Sequence, residues 1–159
     1  MQSFEAWYGW HHTRLLAALR VRCGDVEVAR EALDEACSRA LSAWGRVGAM
    51  AEPTGWVYRV AVNHGRRLAR RRALETLALR RRLEPRAEET DGGEVWDAVR
   101  RLPARQRDII LLRYVVDLPE ADIAAALGIS RGAVSASAAK ARATLAVTLG
   151  DHTLEEEGR

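Results

Sequence analysis

The stretch Glu120-Ala-Asp-Ile-Ala-Ala-Ala-Leu-Gly-Ile-Ser-Arg-Gly-Ala-Val-Ser135 has the residue spacing of a helix-turn-helix. The small Ala124 allows two helices to approach, Gly128 can adopt the left-handed backbone of the turn, and Val134 packs the second helix on the first. Ser130 is a suitable N-cap for that second helix. The spacing therefore predicts two short helices of a type that commonly binds DNA, with an ordinary helical hairpin as the alternative.

Helical periodicity extends to both sides of this motif, and no segment shows the sustained apolar-polar alternation of a half-buried strand. The apolar run Ile109–Val115 predicts a third helix that supports the pair. Prolines and a glycine divide this half of the chain into four helical segments, which are Glu94–Leu102, Ala104–Val115, Glu120–Leu127 and Arg131–Leu149. The pattern predicts an all-α fold.

The N-terminal half also predicts helices. The first runs over about residues 3–21 and ends at Gly24, and the second begins after the N-cap Asp25 and ends before Gly45. A loop from Gly45 to Glu52 follows, and Pro53 occupies a position where a third helix can begin. That third helix continues from apolar residues into a series of arginines.

Between these halves, the stretch from Ala73 to Gly93 loses clear periodicity, contains Pro85 and changes from basic to acidic. We therefore predict two small helical domains joined by a flexible linker. The predicted parts are an N-terminal domain over 1–73, a linker over 74–93, a C-terminal helix-turn-helix domain over 94–150 and an acidic tail over 151–159.

Charge is distributed unevenly along the 159 residues, although the net charge is only +3 and the sequence pI is about 9.3. Nine arginines and one acid, Glu75, lie between Arg59 and Arg82, which gives this segment a charge of +8. Arginine binds phosphate bidentately, so such a block favours a polyanionic partner. A merely solvated helix face is the alternative interpretation.

Several classes of protein are disfavoured by the composition. No apolar run reaches the ~20 residues needed to cross a bilayer, and the N-terminus lacks the layout of a secretory signal, so we expect a cytoplasmic protein without membrane insertion. Cys23 and Cys37 form neither a disulfide framework nor a zinc motif. Without a catalytic constellation or a phosphate-cradling loop, we expect no enzyme activity and no cofactor.

Two parts of the chain together resemble the extracytoplasmic-function sigma factors of RNA polymerase. Asp25–Trp44 followed by Pro53-Thr-Gly-Trp-Val-Tyr-Arg-Val-Ala-Val-Asn63 is similar to their promoter-melting domain. Leu102-Pro-Ala-Arg-Gln-Arg-Asp-Ile-Ile-Leu-Leu-Arg-Tyr114 with Leu118-Pro-Glu-Ala-Asp-Ile-Ala-Ala-Ala-Leu-Gly-Ile-Ser130 is similar to their C-terminal domain. The resemblance implies an alternative sigma factor that binds core RNA polymerase and promoter DNA. It adds an anti-sigma factor as a candidate partner.

The resemblance also implies that the helix within Asp25–Trp44 docks on a coiled coil of the largest polymerase subunit. The candidate polar contacts there are Glu31, Asp34, Glu35 and Arg39. This chain has Asp34 where the family usually has glutamine, and Cys37 where it usually has an aromatic residue. We therefore expect an altered affinity for core polymerase.

The helix Trp56–Arg72 corresponds to the part of the family that meets the −10 element. Its candidate DNA contacts are Arg59, Asn63, Arg66, Arg67, Arg70 and Arg71, among which Asn63 suits bidentate recognition of adenine. Trp56 and Tyr58 either stack on bases or belong to the core, and we favour the core. Met50 either lines a pocket for a flipped base or lies in a plain connecting loop.

In the C-terminal domain the resemblance implies that the helix after Ser130 contacts the −35 element. The segment Ser135-Ala-Ser-Ala-Ala-Lys-Ala-Arg142 has fewer basic and polar residues than is usual in the family. The remaining candidate DNA contacts are Arg131, Ser135, Ser137, Lys140 and Arg142. Alanine can meet thymine methyl groups but offers no hydrogen bonds, so we predict weak or shape-based recognition of the −35 element.

Two other functions remain compatible with these residues. A stand-alone helix-turn-helix regulator would explain the C-terminal half, although the match over Asp25–Arg72 argues against it. An interaction protein derived from a sigma factor, which has lost promoter recognition, would explain the alanine-rich helix.

Overall fold

The computed structural model describes residues 1–79 and 93–156, with side chains as far as residue 150. All regular structure in these ranges is α-helical, which confirms the all-α prediction. The helices in chain order are α1 (Phe4–Cys23), α2 (Val26–Ser42), α3 (Trp44–Val47), α4 (Pro53–Leu79), α5 (Glu94–Arg101), α6 (Ala104–Tyr114), α7 (Glu120–Leu127) and α8 (Arg131–Glu156). They divide into two compact units, α1–α4 and α5–α8.

The connection between α1 and α2 follows the sequence prediction. Gly24 closes α1 in the left-handed conformation, at φ 70°, and its N–H donates to the carbonyl of Arg20 at 3.1 Å. The Oδ1 atom of Asp25 then accepts a hydrogen bond from the N–H of Val28 at 2.9 Å, which caps α2. Two local signals thus confirm the turn between the first helices.

In the N-terminal unit α2 packs against both α1 and α4. Leu15, Leu33 and Val57 are fully buried in this core, and each such side chain contributes roughly 1.5–3 kcal/mol by leaving water. Gly65 allows α4 to approach its neighbours closely, since a Cβ atom there would lie 3.1 Å from the Sγ atom of Cys23. The core thereby fixes which side of α4 faces outward.

Aromatic side chains join the start of α1 to α3 and to the first turn of α4. The Nε1 atom of Trp7 donates to the hydroxyl of buried Thr54 at 3.1 Å, and Nε1 of Trp44 donates to the carbonyl of Gln2 at 2.9 Å. The rings of Phe4 and Trp44 meet edge to face with 5.3 Å between centroids. These contacts hold the segment before α4 in place.

Two helix boundaries in the N-terminal unit differ from the prediction. The short helix α3 occupies part of the predicted loop from Gly45 to Glu52. The helix α4 continues to Leu79, past the predicted domain end at residue 73. The reason is local, because residues 73–79 are mostly alanine and leucine, which are strong helix formers. The rest of the predicted linker, residues 80–92, lies outside the described residues.

The C-terminal unit contains the predicted helix-turn-helix. Gly128 adopts a left-handed conformation at φ 65° after α7, and the Oγ atom of Ser130 accepts from the N–H of Ala133 at 3.0 Å at the start of α8. Val134 and Ile123 are buried between the helices, together with Ile109 of α6. These contacts confirm the predicted packing of the motif.

The last helix is longer than its apolar pattern indicates. It continues to Glu156, whereas the sequence predicts an end at Leu149 and a frayed acidic tail beyond residue 150. The last three residues, 157–159, lie outside the described part of the chain. Among the described helices, none combines the length and apolar composition that a membrane span requires.

Candidate nucleic-acid interface

The outer side of α4 carries the predicted DNA contacts of the N-terminal unit. Val57, Ala61, Gly65 and Leu68 recur at helical spacing on the buried side. On the other side the candidate residues are all exposed, namely Arg59, Asn63, Arg66, Arg67, Arg70 and Arg71. The first five lie within ~100° of one another around the helix axis, and Arg71 lies at the edge of this group. Packing of the core thus gathers them on one surface, which we call the arginine face.

Arg72 belongs to the same run of arginines but points to the other side of α4. Its Nη1 atom lies 3.3 Å from Oδ2 of Asp25, and its Nη2 atom lies 3.9 Å from Oε2 of Glu31. Asp25 is also the cap of α2, so Arg72 connects α4 to the beginning of that helix. The basic run is therefore divided between an outward group and one residue that joins two helices.

The aromatic residues near the start of α4 differ from each other in exposure. Tyr58 is only 1% exposed, so its ring is a core residue and is not accessible to a base. Trp56 is half-buried, and the guanidinium carbon of Arg46 lies 5.9 Å from its ring centroid. This distance is within the range of a cation-π interaction. Met50 is half-buried, and its role at a base pocket stays a prediction.

The candidate polymerase contacts do not form one cluster on α2. Glu35 and Arg39 pair with each other at 2.6 Å, and Glu31 lies beside Arg72. Asp34 lies toward α1 instead, at the rim of a cavity of about 200 Å³ whose lining also includes Tyr8 and Leu33. The four side chains are all partly or fully exposed, and Asp34 lies at the edge of the group that is nearest to α1.

Cys37, which stands where the family usually has an aromatic residue, is a buried residue of α2. Burial, with a smaller contribution from the charge of Asp34, raises the pKa of its thiol to about 11. The thiol therefore stays protonated near neutral pH and behaves as a small core residue. No group of three potential metal-binding side chains occurs among the residues that the structure describes.

The exposed side of the first half of α8 is made of small residues. Val134, Ala138 and Ala141 are buried against the rest of the unit. Opposite them lie residues without polar side chains, which are Gly132, Ala136, Ala139 and Ala143, all exposed. We call this surface the alanine face.

Polar candidates lie along the two edges of the alanine face. Arg131, Ser135 and Arg142 fall within ~40° of one another around the axis, on one edge. Lys140 lies toward the other edge, and Ser137 is only half-exposed there. The structure therefore separates Ser137 from Ser135, which are ~160° apart.

One residue near this edge was missed by the sequence analysis. The Nη1 atom of Arg142 donates to the hydroxyl oxygen of Tyr114 at 3.1 Å. Tyr114 ends α6 and is 57% exposed. The contact joins residues 28 positions apart, so only the packing of α6 on α8 brings them together.

Comparison with known families gives a match in the C-terminal unit. Residues 92–145 match the family described as Sigma-70, region 4. This range includes α5, α6, α7 and most of α8.

Two curated relatives cover nearly the whole chain. An uncharacterized protein of Rhizobium meliloti is 32% identical over 162 residues, which include 87% of this chain and 38% of that protein. The chain thus spans less than half the length of that relative. The ECF RNA polymerase sigma factor SigM of Mycobacterium tuberculosis is 30% identical over 152 residues, which include 93% of this chain and 78% of that protein.

Solved structures agree in fold. The sigma factor RpoE of Bartonella quintana, in complex with the anti-sigma factor NepR, superposes with a TM-score of 0.73 at 18% identity, over 92% of this chain and 96% of that one. CnrH, in complex with the cytosolic domain of CnrY, gives a TM-score of 0.67 at 24% identity, over 93% and 88%. At these identities the two structures support the fold alone.

Proposed function

The chain belongs to the extracytoplasmic-function sigma factors, and from that membership we propose that it joins core RNA polymerase and directs it to promoters as an alternative sigma factor. The observation that carries this proposal is the arginine face of α4, which presents five arginines and Asn63 on a rigid helix. Arginine suits phosphate and base edges, and asparagine suits adenine.

In this proposal the arginine face meets the −10 element, where strands separate. Extruding a base from the duplex costs a few kcal/mol, so an opened promoter needs compensating contacts to the separated strand. Phosphate contacts from the arginines and hydrogen bonds from Asn63 offset that cost without any covalent chemistry. The chain then acts through binding energy and not as an enzyme.

Core polymerase is the proposed partner of α2. Its exposed side carries acidic groups, with Glu31, Asp34 and Glu35 among them, and a basic partner surface would complement it. An anti-sigma factor is a further proposed partner, because the structurally similar sigma factor RpoE is in complex with the anti-sigma factor NepR. Because the proposed partners, RNA polymerase and promoter DNA, are cytoplasmic in bacteria, we propose that the protein acts in the cytoplasm.

Run-off transcription with core polymerase on a library of promoter fragments tests this function. A sigma factor makes core polymerase initiate at a subset of fragments that core alone does not use. A stand-alone regulator would bind fragments without supporting initiation by core. A protein that has lost promoter recognition would bind core yet yield no transcript, and either result would reject the proposal.

A further inference from the structure

The contact between Tyr114 and Arg142 lies at the surface of the C-terminal unit and serves no evident packing purpose. Tyr114 is 57% exposed, and Arg142 is exposed as well. A hydrogen bond between two solvated groups adds little to folding stability, because water competes for both partners. Its physical effect is to restrict the long Arg142 side chain to one direction.

Residue 142 lies on the edge of α8 that also carries Arg131 and Ser135. These residues share one side of the helix with Arg142, adjacent to the alanine face. A helix that enters the major groove has its two edges beside the sugar-phosphate backbones. Arginine, serine and tyrosine are all residues that bind phosphate oxygens.

We propose that Tyr114 is a positioning residue for DNA, which holds the Arg142 guanidinium toward a backbone phosphate at the edge of α8. The guanidinium has five N–H donors, and one of them is used on Tyr114, so a bidentate phosphate contact remains available. The inference rests on the proposed role of α8 in DNA binding.

This arrangement suits a recognition helix with a weak central surface. The alanine face offers no hydrogen bonds to bases, so attachment of α8 depends on the edges. A preorganised arginine loses less conformational entropy on binding than a free one. Tyr114 thereby strengthens a sequence-independent contact and does not add base recognition.

The test is a double-mutant cycle on the full chain with a random-sequence DNA duplex. Tyr114→Phe removes the hydroxyl and keeps the ring, and Arg142→Ala removes the guanidinium. Thr148→Val is the matched control, because it removes a hydroxyl of α8 that donates to the helix carbonyl of Thr144. Affinity is measured by fluorescence anisotropy over a series of salt concentrations, with thermal unfolding of each variant alongside.

We expect Tyr114→Phe to weaken duplex binding about 3- to 10-fold, as for one net hydrogen bond, with an unchanged unfolding midpoint. The salt slope is the slope of the logarithm of the binding constant against the logarithm of the salt concentration. Arg142→Ala should lower its magnitude by about 0.9, the value for one phosphate contact. Adding Tyr114→Phe to Arg142→Ala should cause no further loss, and Thr148→Val should bind like the unmodified chain.

Three results would overturn the positioning role. The first is that Tyr114→Phe lowers DNA affinity by the same factor in the Arg142→Ala background as in the unmodified chain. The second is that Arg142→Ala lowers DNA affinity and Tyr114→Phe does not. The third is that Arg142→Ala leaves DNA affinity unchanged. The duplex assay does not need core polymerase, so it is independent of the run-off experiment. If run-off transcription fails but the double-mutant cycle still shows that Tyr114 acts through Arg142, the sigma function is rejected and the positioning role is not.

Discussion

The helices α4 and α8 are nearly equal in length, with 27 and 26 residues, yet their outer surfaces have opposite chemistry. On α4 the exposed side is the arginine face, whereas on α8 it is the alanine face with polar groups only at its edges. Charged side chains attract phosphate at long range and alanine does not. From this difference we expect the N-terminal unit to contribute more of the proposed DNA affinity than the C-terminal unit.

The largest expected effect comes from removing the arginine face. Replacing Arg66, Arg67, Arg70 and Arg71 together with alanine should lower the salt slope for duplex binding by the holoenzyme by about 0.9 for each phosphate that is no longer neutralised. Titrations over several salt concentrations measure this slope. Lysine at the same four positions is the control, because it keeps the charge and should retain most of the slope. An unchanged slope in the alanine variant would mean that these arginines form only a solvated surface.

Promoter sequence tests the comparison between the two helices directly. Scrambling the −10 element should reduce transcription more than scrambling the −35 element, since a directly read base pair contributes roughly 1–3 kcal/mol. Transcription from paired promoter variants gives the ratio. Equal losses would show that the alanine methyl groups and the edges of α8 read bases well.

A related variant adds charge to the weaker helix. Ser135→Lys should raise affinity for many upstream sequences by a similar factor, because a phosphate contact does not depend on sequence. Ser135→Gln provides a matched control of similar reach without the charge. Improvement of one upstream sequence alone would instead indicate that position 135 contacts a base.

A smaller effect is expected at α2, which is the proposed contact of the N-terminal unit with polymerase. Glu31→Lys with Glu35→Lys should weaken binding to core polymerase by roughly tenfold, equal to about 1.4 kcal/mol, while circular dichroism keeps its helical signal. Glu5→Lys with Glu75→Lys, at two exposed acids outside α2, is the control for net charge. Equal affinity of the double variant and the original chain would move the polymerase interface away from this side of α2.

The smallest effects separate two adjacent arginines. Arg71→Ala should lower the DNA salt slope by about 0.9 with little change in stability. Arg72→Ala should leave the slope unchanged and reduce the free energy of unfolding by about 0.5–1 kcal/mol, as expected for a partly exposed ion pair. Urea unfolding and duplex titration measure the two quantities. A fall in slope for Arg72→Ala would place that residue on the DNA as well.

The ion pair can also be removed from its other side. Asp25→Asn keeps the N-cap of α2, because asparagine caps as well as aspartate, but loses the charge that Arg72 meets. We expect its stability loss to match that of Arg72→Ala, and the two losses not to add. Additive losses would mean that Arg72 stabilises the unit through contacts other than Asp25.

Local signals in the sequence predicted most of the fold. Gly24, Asp25, Gly128 and Ser130 act within a few residues of themselves, so their roles could be assigned without knowing what surrounds them. The sequence predicts a domain end at residue 73, where clear periodicity is lost, whereas the helix-forming alanine and leucine residues that follow extend α4 to Leu79. Helix boundaries depend on such competing local preferences.

The sequence by itself determined the helical class, the helix-turn-helix and the concentration of arginine near the middle of the chain, because periodicity and turn residues are local properties. Only the tertiary structure decided which side of each helix faces outward. It directed Arg72 to Asp25, buried Tyr58 and brought Tyr114 to Arg142. These outcomes follow from packing between distant segments, and the spacing of residues along one helix does not contain them.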